Sequence, residues 1–247
     1  MSGSYVADCF AGCGVVSKKV RAAGFAAREW ELLNSPAHDL CKFKVRAPIV
    51  ADLTLGRCIG LMLAPPCSSW SVARDRTYPI RNVEHPMGIP GLSEKDNGKL
   101  KIGNDTMNAA VALATAAHTA GRPWILENPH SSKMWRAPAM VVLRARRNVH
   151  EVVTDFCQWG KPWRKRTRFI IGNVPEEDME KLARRCCGRG RCSRTGRLHQ
   201  HLSGSAPCGV RWTLLAMPYP ARLAHVLASM LVGEAKQSYA QRLYETL

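Results

Sequence analysis

Short apolar runs alternate with amphipathic stretches of helical length along most of this chain. Residues 4–10 read as a first strand, and the turn Gly12-Cys13-Gly14 opens a helix over residues 15–23. Residues 25–32 read as a second strand, Pro48-Ile49-Val50-Ala51-Asp52 as a third and residues 58–63 as a fourth. A further apolar run, Pro123-Trp124-Ile125-Leu126, ends in Glu127-Asn128-Pro129, and Phe169-Ile170-Ile171-Gly172 is another short strand. Strands alternating with helix-length segments predict an α/β fold: a parallel sheet with crossover helices.

Residues 72–104 break the pattern. They are rich in Pro, Gly, Asn and charge, as in Arg74-Asp75-Arg76-Thr77-Tyr78-Pro79 and Pro86-Met87-Gly88-Ile89-Pro90-Gly91-Leu92. A loop of this length inside a domain points to a function, and its place in the chain suggests a lid or substrate loop. Residues 103–120 then read as a helix capped by Asn104 or Asp105, with Met107, Val111, Leu113 and Ala117 facing inward. A helix is expected over 176–185. Residues 186–209 are a different kind of sequence, full of Cys, Gly, Arg and His, and an apolar helix over 219–233 follows with Pro220 in its first turn. The expected organisation is a main domain over 1–173, a small insertion over 174–215, and a returning helix within 216–247.

A chain of 247 residues accommodates one large domain and a small insertion. Its formal net charge of +17 calls for a polyanionic partner, and nucleic acid is the simplest; charge alone does not separate DNA from RNA. No apolar run approaches the length of a membrane span. Met1-Ser2-Gly3-Ser4 leads at once into a strand, so no signal peptide is expected and the protein reads as intracellular: nuclear in a eukaryote, cytoplasmic in a bacterium or phage. Ten cysteines in such a chain read as thiols, catalytic groups or metal ligands rather than disulfides. Cys9, Cys13, Cys41, Cys58 and Cys157 lie in or near apolar segments and read as small core residues.

Chemistry concentrates at two strand ends. Cys58-Ile59-Gly60-Leu61-Met62-Leu63 runs into Ala64-Pro65-Pro66-Cys67-Ser68-Ser69-Trp70-Ser71. The two prolines fix φ, so the Cys67 thiol is aimed rather than mobile, and the polar residues after it argue against a core role. Glu127 ends the other strand. In open α/β sheets ligands bind at the carboxyl ends of the strands, so a thiol and a carboxylate placed there predict one shared site.

These segments together resemble the cytosine-C5 DNA methyltransferase family. The resemblance rests on strand-Pro-Pro-Cys-x-x-x-Ser, on strand-Glu-Asn, and on Val6-Ala7-Asp8-Cys9-Phe10-Ala11-Gly12-Cys13-Gly14, all in the family's order over about residues 5 to 172. It implies a Rossmann-like class I methyltransferase sheet with flanking helices, the cofactor S-adenosylmethionine, and methylation of carbon 5 of cytosine in a base flipped out of the duplex. Cys67 is then the nucleophile at carbon 6, and Glu127 the group on the pyrimidine edge. Asp8, Phe10, Ala11, Gly12, Gly14 and Pro65 would surround the cofactor. Of the two carboxylates in Glu29-Trp30-Glu31, Glu31 lies nearer the strand end and is preferred for the ribose. Asp52-Leu53 resembles the pair that contacts the adenine ring. Where family members often have Glu-Asn-Val, this chain has Glu-Asn-Pro, a compact variant with an altered local backbone.

The family's Gly-x-Pro-Gln-x-Arg-x-Arg pattern is matched least well, by Gly160-Lys161-Pro162-Trp163-Arg164-Lys165-Arg166-Thr167-Arg168. An ungapped alignment puts Lys165 and Thr167 where arginines belong. The alternating Arg164, Arg166 and Arg168 share one face of a strand, and Arg166 and Arg168 are the candidates for assisting at the base or contacting phosphate. Cys186, Cys187, Cys192, His199, His201 and Cys208 fall where the family places its target-recognition region. Thiolate and imidazole are zinc ligands, a tetrahedral site needs four, and Cys187, Cys192, His199 and Cys208 are the candidate set. DNA is the expected partner. The rivals are an RNA or tRNA cytosine methyltransferase on the same fold and a non-catalytic nucleic-acid-binding homologue. Amino-group methylation is disfavoured, because it leaves a cysteine at this position unexplained.

Overall fold

A computed structural model describes residues 3–72 and 78–245. Six strands form one sheet: β1 Tyr5–Cys9, β2 Ala26–Trp30, β3 Cys58–Leu63, β4 Trp124–Pro129, β5 Val149–Asp155 and β6 Arg166–Gly172. Their order across the sheet is β2-β1-β3-β4-β6-β5. The first four are parallel, and β6 runs antiparallel to both β4 and β5. The chain leaves β1 for β2 on one side and returns to β3 on the other. The carboxyl ends of β1 and β3 therefore flank a switch point, where such sheets bind ligands.

The helices are α1 Val15–Ala22, α2 Phe43–Thr54, α3 Glu94–Thr119, α4 Pro138–Arg144, α5 Glu176–Glu180, α6 Trp212–Leu215 and α7 Ala221–Glu245. Strand side chains alternate between the faces and so divide the core in two. Leu61, Leu63, Trp124, Leu126 and Ile170 pack against α2, α3 and α4. Val6, Met62, Ile125, Phe169 and Ile171 pack against α1 and α7. Helix α7 comes so close to β3 that a Cβ added at Gly60 would lie 2.4 Å from the Leu231 carbonyl oxygen. No helix among the described residues is long and apolar enough to cross a membrane.

The fold is the expected α/β sheet with flanking helices, but the sheet is mixed rather than all parallel, because β6 runs antiparallel to its neighbours, and there are four local differences. Residues 48–52 are helical, not a third strand: Ile49, Asp52 and Leu53 are buried at helical spacing within α2, and the β-branched run Ile49-Val50 misled. Helix α3 starts at Glu94, ten residues before the expected caps. Ser93 caps it by accepting from the Asp96 amide at 3.3 Å, and Glu94 and Asp96 suit the positive end of its dipole. Strand β5 and helix α4 lie in residues for which no element was expected. The helix expected over 176–185 is only the short α5, while α7 runs beyond residue 233.

Candidate active site

The Cys67 loop is fastened on both sides. The Ala64 amide donates to the Cys9 carbonyl at 3.2 Å, tying the end of β3 to that of β1. From β4, Asn128 Nδ2 donates to the Pro65 carbonyl at 2.8 Å. The Trp70 amide closes a turn on the Cys67 carbonyl at 3.0 Å, and Trp70 is buried beneath the Arg81 guanidinium, 3.4 Å from its ring centroid. Arg81 also donates to Ser69 through Nε at 3.1 Å and Nη2 at 3.2 Å. Residues 78–93 of the expected lid are thus anchored beside the Cys67 loop by a buried arginine; Arg74, Asp75, Arg76 and Thr77 lie outside the described residues. Cys67 itself is half-buried. Burial pushes its thiol up, the Glu127 charge pushes it further, and Lys165 pulls it back.

Glu127 is buried at the end of β4. Its Oε2 accepts from the Tyr219 hydroxyl at 3.1 Å, while Oε1 is buried with no partner among the described residues. Burial raises the Glu127 carboxyl, and Lys165 and the Tyr219 hydroxyl oppose this. An unpaired buried carboxylate oxygen is costly, so it marks a place where a donor belongs. Asp8, buried at the end of β1, is pushed up to about 7 by burial. Its Oδ2 accepts from Ser17 Oγ at 2.7 Å and from the Ser17 amide at 3.2 Å, satisfying a free N–H in the first turn of α1.

The arginines of β6 lie on the other face of the sheet. Pairing sets Glu127 opposite Phe169 and Asn128 opposite Arg168. Phe169 belongs to the α7 side, as does Tyr219, whose ring centroid is 6.5 Å away. Alternation therefore puts Lys165 and Thr167 on the face of Glu127 and puts Arg166 and Arg168 on the opposite one. Arg166 grips buried Asp155 with two bonds of 2.9 Å. Arg168 pairs with Glu151 at 2.9 Å and lies over Trp135. Neither expected arginine stands beside Glu127; the cation acting on Glu127 and Cys67 is Lys165.

The glycine loop carries three residues in the left-handed region: Phe10 at φ 59°, Gly12 at 54° and Gly14 at 60°. For Phe10 this is a strained conformation, held by the Phe10 and Ala11 amides, which donate to the Trp30 carbonyl at 2.8 and 3.3 Å. Glu31 accepts from the Gly12 amide at 2.8 Å and the Leu33 amide at 3.1 Å. Glu29 is taken up by Arg21 at 2.8 Å and lies so close to Gly14 that a Cβ there would meet its carboxylate at 2.8 Å. Asp52 and Leu53 are not at this end. Asp52 sits in α2, where it accepts from Tyr5 at 2.7 Å and Arg57 at 2.7 Å near the amino end of β1, and Leu53 is core. Asp52 and Leu53 lie away from the glycine loop because the strand expected to carry them there is a helix.

Of the four expected zinc ligands, Cys192 and His199 come together, and their neighbours are Cys157 and Cys186. Cys187 and Cys208 are exposed and outside this group. On the Arg168 face, a cleft of about 810 Å³ is lined by Arg81, His130, Lys133, Trp135, Arg136 and Arg168, among others. Its basic, aromatic-edged wall suits a polyanion. Two groups not expected near Glu127 act on it, Tyr219 and Lys165. Tyr219 had a signal in its bracketing by Pro218 and Pro220; Lys165 had one in the ungapped alignment.

The sequence matches no protein-family model, and no curated protein is similar to it. Among solved structures it is similar to the methyltransferase EhMeth of Entamoeba histolytica, at 11% identity and a TM-score of 0.41, over 71% of this chain and 54% of that one. It is also similar to the Dnmt2 methyltransferase of S. pombe, at 10% identity and a TM-score of 0.42, over 72% and 54%. The chain thus spans little more than half the length of either. A likeness this distant bears on neither chemistry nor substrate.

Proposed function

We propose that the protein is an S-adenosylmethionine-dependent methyltransferase acting on carbon 5 of cytosine in DNA. The observation that carries this reading is the convergence of the Cys67 thiol, the buried Glu127 carboxyl and the Lys165 ammonium at the carboxyl end of the sheet. The loop at residues 10–14 fits the cofactor: Gly12 has open space where a Cβ would be, and Glu31 and Glu29 border the loop from the end of β2. Asp8, Phe10, Ala11, Gly12, Gly14, Glu31 and Pro65 are the residues that would hold it. S-adenosylmethionine, when bound, supplies an electrophilic methyl group.

The protein's own part is to make carbon 5 nucleophilic. Cytosine carbon 5 does not accept a methyl group unaided. Bond formation between Cys67 Sγ and carbon 6 moves the ring electrons towards nitrogen 3, where Glu127 delivers a proton. Burial raises the Glu127 carboxyl and so favours its protonated form, and its unpaired Oε1 is the atom available to the pyrimidine edge. Lys165 favours the thiolate form of Cys67 as the bond forms. Tyr219 holds the Glu127 carboxyl through Oε2 and leaves the other oxygen for the base. After methyl transfer, loss of the carbon-5 proton to a base lets the Sγ–carbon 6 bond break and releases the thiolate, and the nitrogen-3 proton returns to Glu127.

Covalent trapping tests this. The protein is incubated with S-adenosylmethionine and duplex DNA carrying 5-fluorocytosine, beside a Cys67→Ala variant, and run on a denaturing gel. A DNA-shifted band lost in the variant is expected. A band with fluorinated RNA alone would move the substrate to RNA while keeping the chemistry. No band with either polymer would sink the covalent mechanism.

A further inference from the structure

We propose that Cys157, Cys186, Cys192 and His199 form a zinc site that fastens the arginine-rich segment after α5 to the carboxyl end of β5. The four ligand atoms lie within 4.8 Å of one another, with Cys186 Sγ 3.6 Å from His199 Nε2. Zinc–sulfur and zinc–nitrogen bonds of about 2.3 and 2.0 Å set ligand atoms slightly nearer than this, so a small contraction closes a tetrahedron. Three thiols and one imidazole with no open position are a structural zinc set rather than a catalytic one.

The backbone is built to bring these ligands together. Cys157 sits in the short helical turn Phe156–Trp159 directly after β5. The Cys186 amide donates to Asp155 Oδ2 at 2.7 Å, which brings Cys186 beside it. A hairpin then joins the last two ligands. The Cys192 amide donates to the Arg197 carbonyl at 2.7 Å, the Gly196 amide to the Cys192 carbonyl at 2.8 Å, and the His199 amide to the Gly190 carbonyl at 2.9 Å. A Cβ at Gly188 would lie 1.8 Å from the Arg191 carbonyl oxygen, so the approach to this hairpin tolerates only glycine.

A core role for the sulfurs explains less. Cys157, Cys186 and Cys192 form a separate buried cluster with no other apolar side chain among the described residues. Residues 184–200 hold six arginines and no acidic residue, and a segment this poor in apolar groups needs a staple to hold one shape. The sulfurs also face donors. The Ser193 amide and hydroxyl point at Cys186 Sγ at 3.3 and 3.5 Å, and Gln158 Nε2 points at the sulfurs of Cys157 and Cys192 at 3.6 and 3.8 Å. Metal-bound thiolates accept such bonds, which orient the ligands from outside. The site stands whatever reaction the sheet performs.

Metal analysis of protein purified without a histidine tag, from zinc-supplemented culture, tests this directly. One zinc per chain is expected, lost in Cys157→Ser and Cys192→Ser and retained in Cys187→Ser and Cys208→Ser. If the ligand variants fail to fold, cobalt exchange on the unaltered protein reads the site instead. Intense tetrahedral d–d bands with a thiolate charge-transfer band are expected, and octahedral spectra would overturn the assignment. So would folded protein free of zinc, a disulfide between two of the four residues, or full zinc in Cys157→Ser.

Discussion

The two faces of strand β6 carry basic residues in alternation, yet they do different work. Arg166 and Arg168 share the face on which Arg168 lines the basic cleft, and both are already engaged, by Asp155 and by Glu151. Lys165 looks towards α7, where its charge bears on Glu127 and Cys67. Residues one apart in sequence are thus divided between holding the sheet edge together and serving the site. The number of arginines in a segment says less about chemistry than which side of a strand each occupies.

Three substitutions test that division. The largest effect is expected from Arg166→Met, which strips a bidentate partner from a fully buried carboxylate. A stability loss of about 3–5 kcal/mol is expected, read from urea denaturation. A loss under about 0.5 kcal/mol would mean that Arg166 is not structural.

Lys165→Met should leave stability nearly unchanged and lower kcat/KM about 100-fold in a methyl-transfer assay. The ammonium favours the Cys67 thiolate, so its removal raises the thiol, and the acid limb of the pH–rate profile should move to higher pH. Lys165→Arg should restore part of the rate. An unmoved limb would separate Lys165 from the nucleophile.

The smallest effect is expected from Tyr219→Phe, which removes one hydrogen bond worth about 1 kcal/mol. That bond favours the ionised Glu127, so without it the carboxyl holds its proton to higher pH. The alkaline limb of the rate profile should then shift upward. A downward shift would contradict the role given to the carboxyl.

The sheet was legible because buried strands and the glycine turn leave strong local marks, and Cys67 and Glu127 were found as strand-end residues for the same reason. That Arg164, Arg166 and Arg168 share a face also followed from strand alternation. Which face they share did not, because it depends on the pairing of Glu127 with Phe169, two residues far apart in the chain. The start of α3 was hidden by Gly98 and Gly103, which weaken a helical pattern; Gly103 is there because a Cβ would lie 1.9 Å from Ser69 Oγ. Cys157 read as core, and its sulfur is indeed buried. Its companions come from a segment about thirty residues on, joined through Asp155, which no local spacing encodes.

Tyr219 follows every strand in the order of synthesis. Cys67, Glu127 and Lys165 all leave the ribosome earlier, at a stage when the apolar side of the sheet that α7 covers is still bare. The hydroxyl that steadies Glu127 arrives between Pro218 and Pro220, on the linker into the helix that seals that surface. A nascent chain therefore holds Cys67 and Glu127 before the hydroxyl that completes the surroundings of Glu127 exists, and those surroundings are complete only once α7 has docked on the sheet.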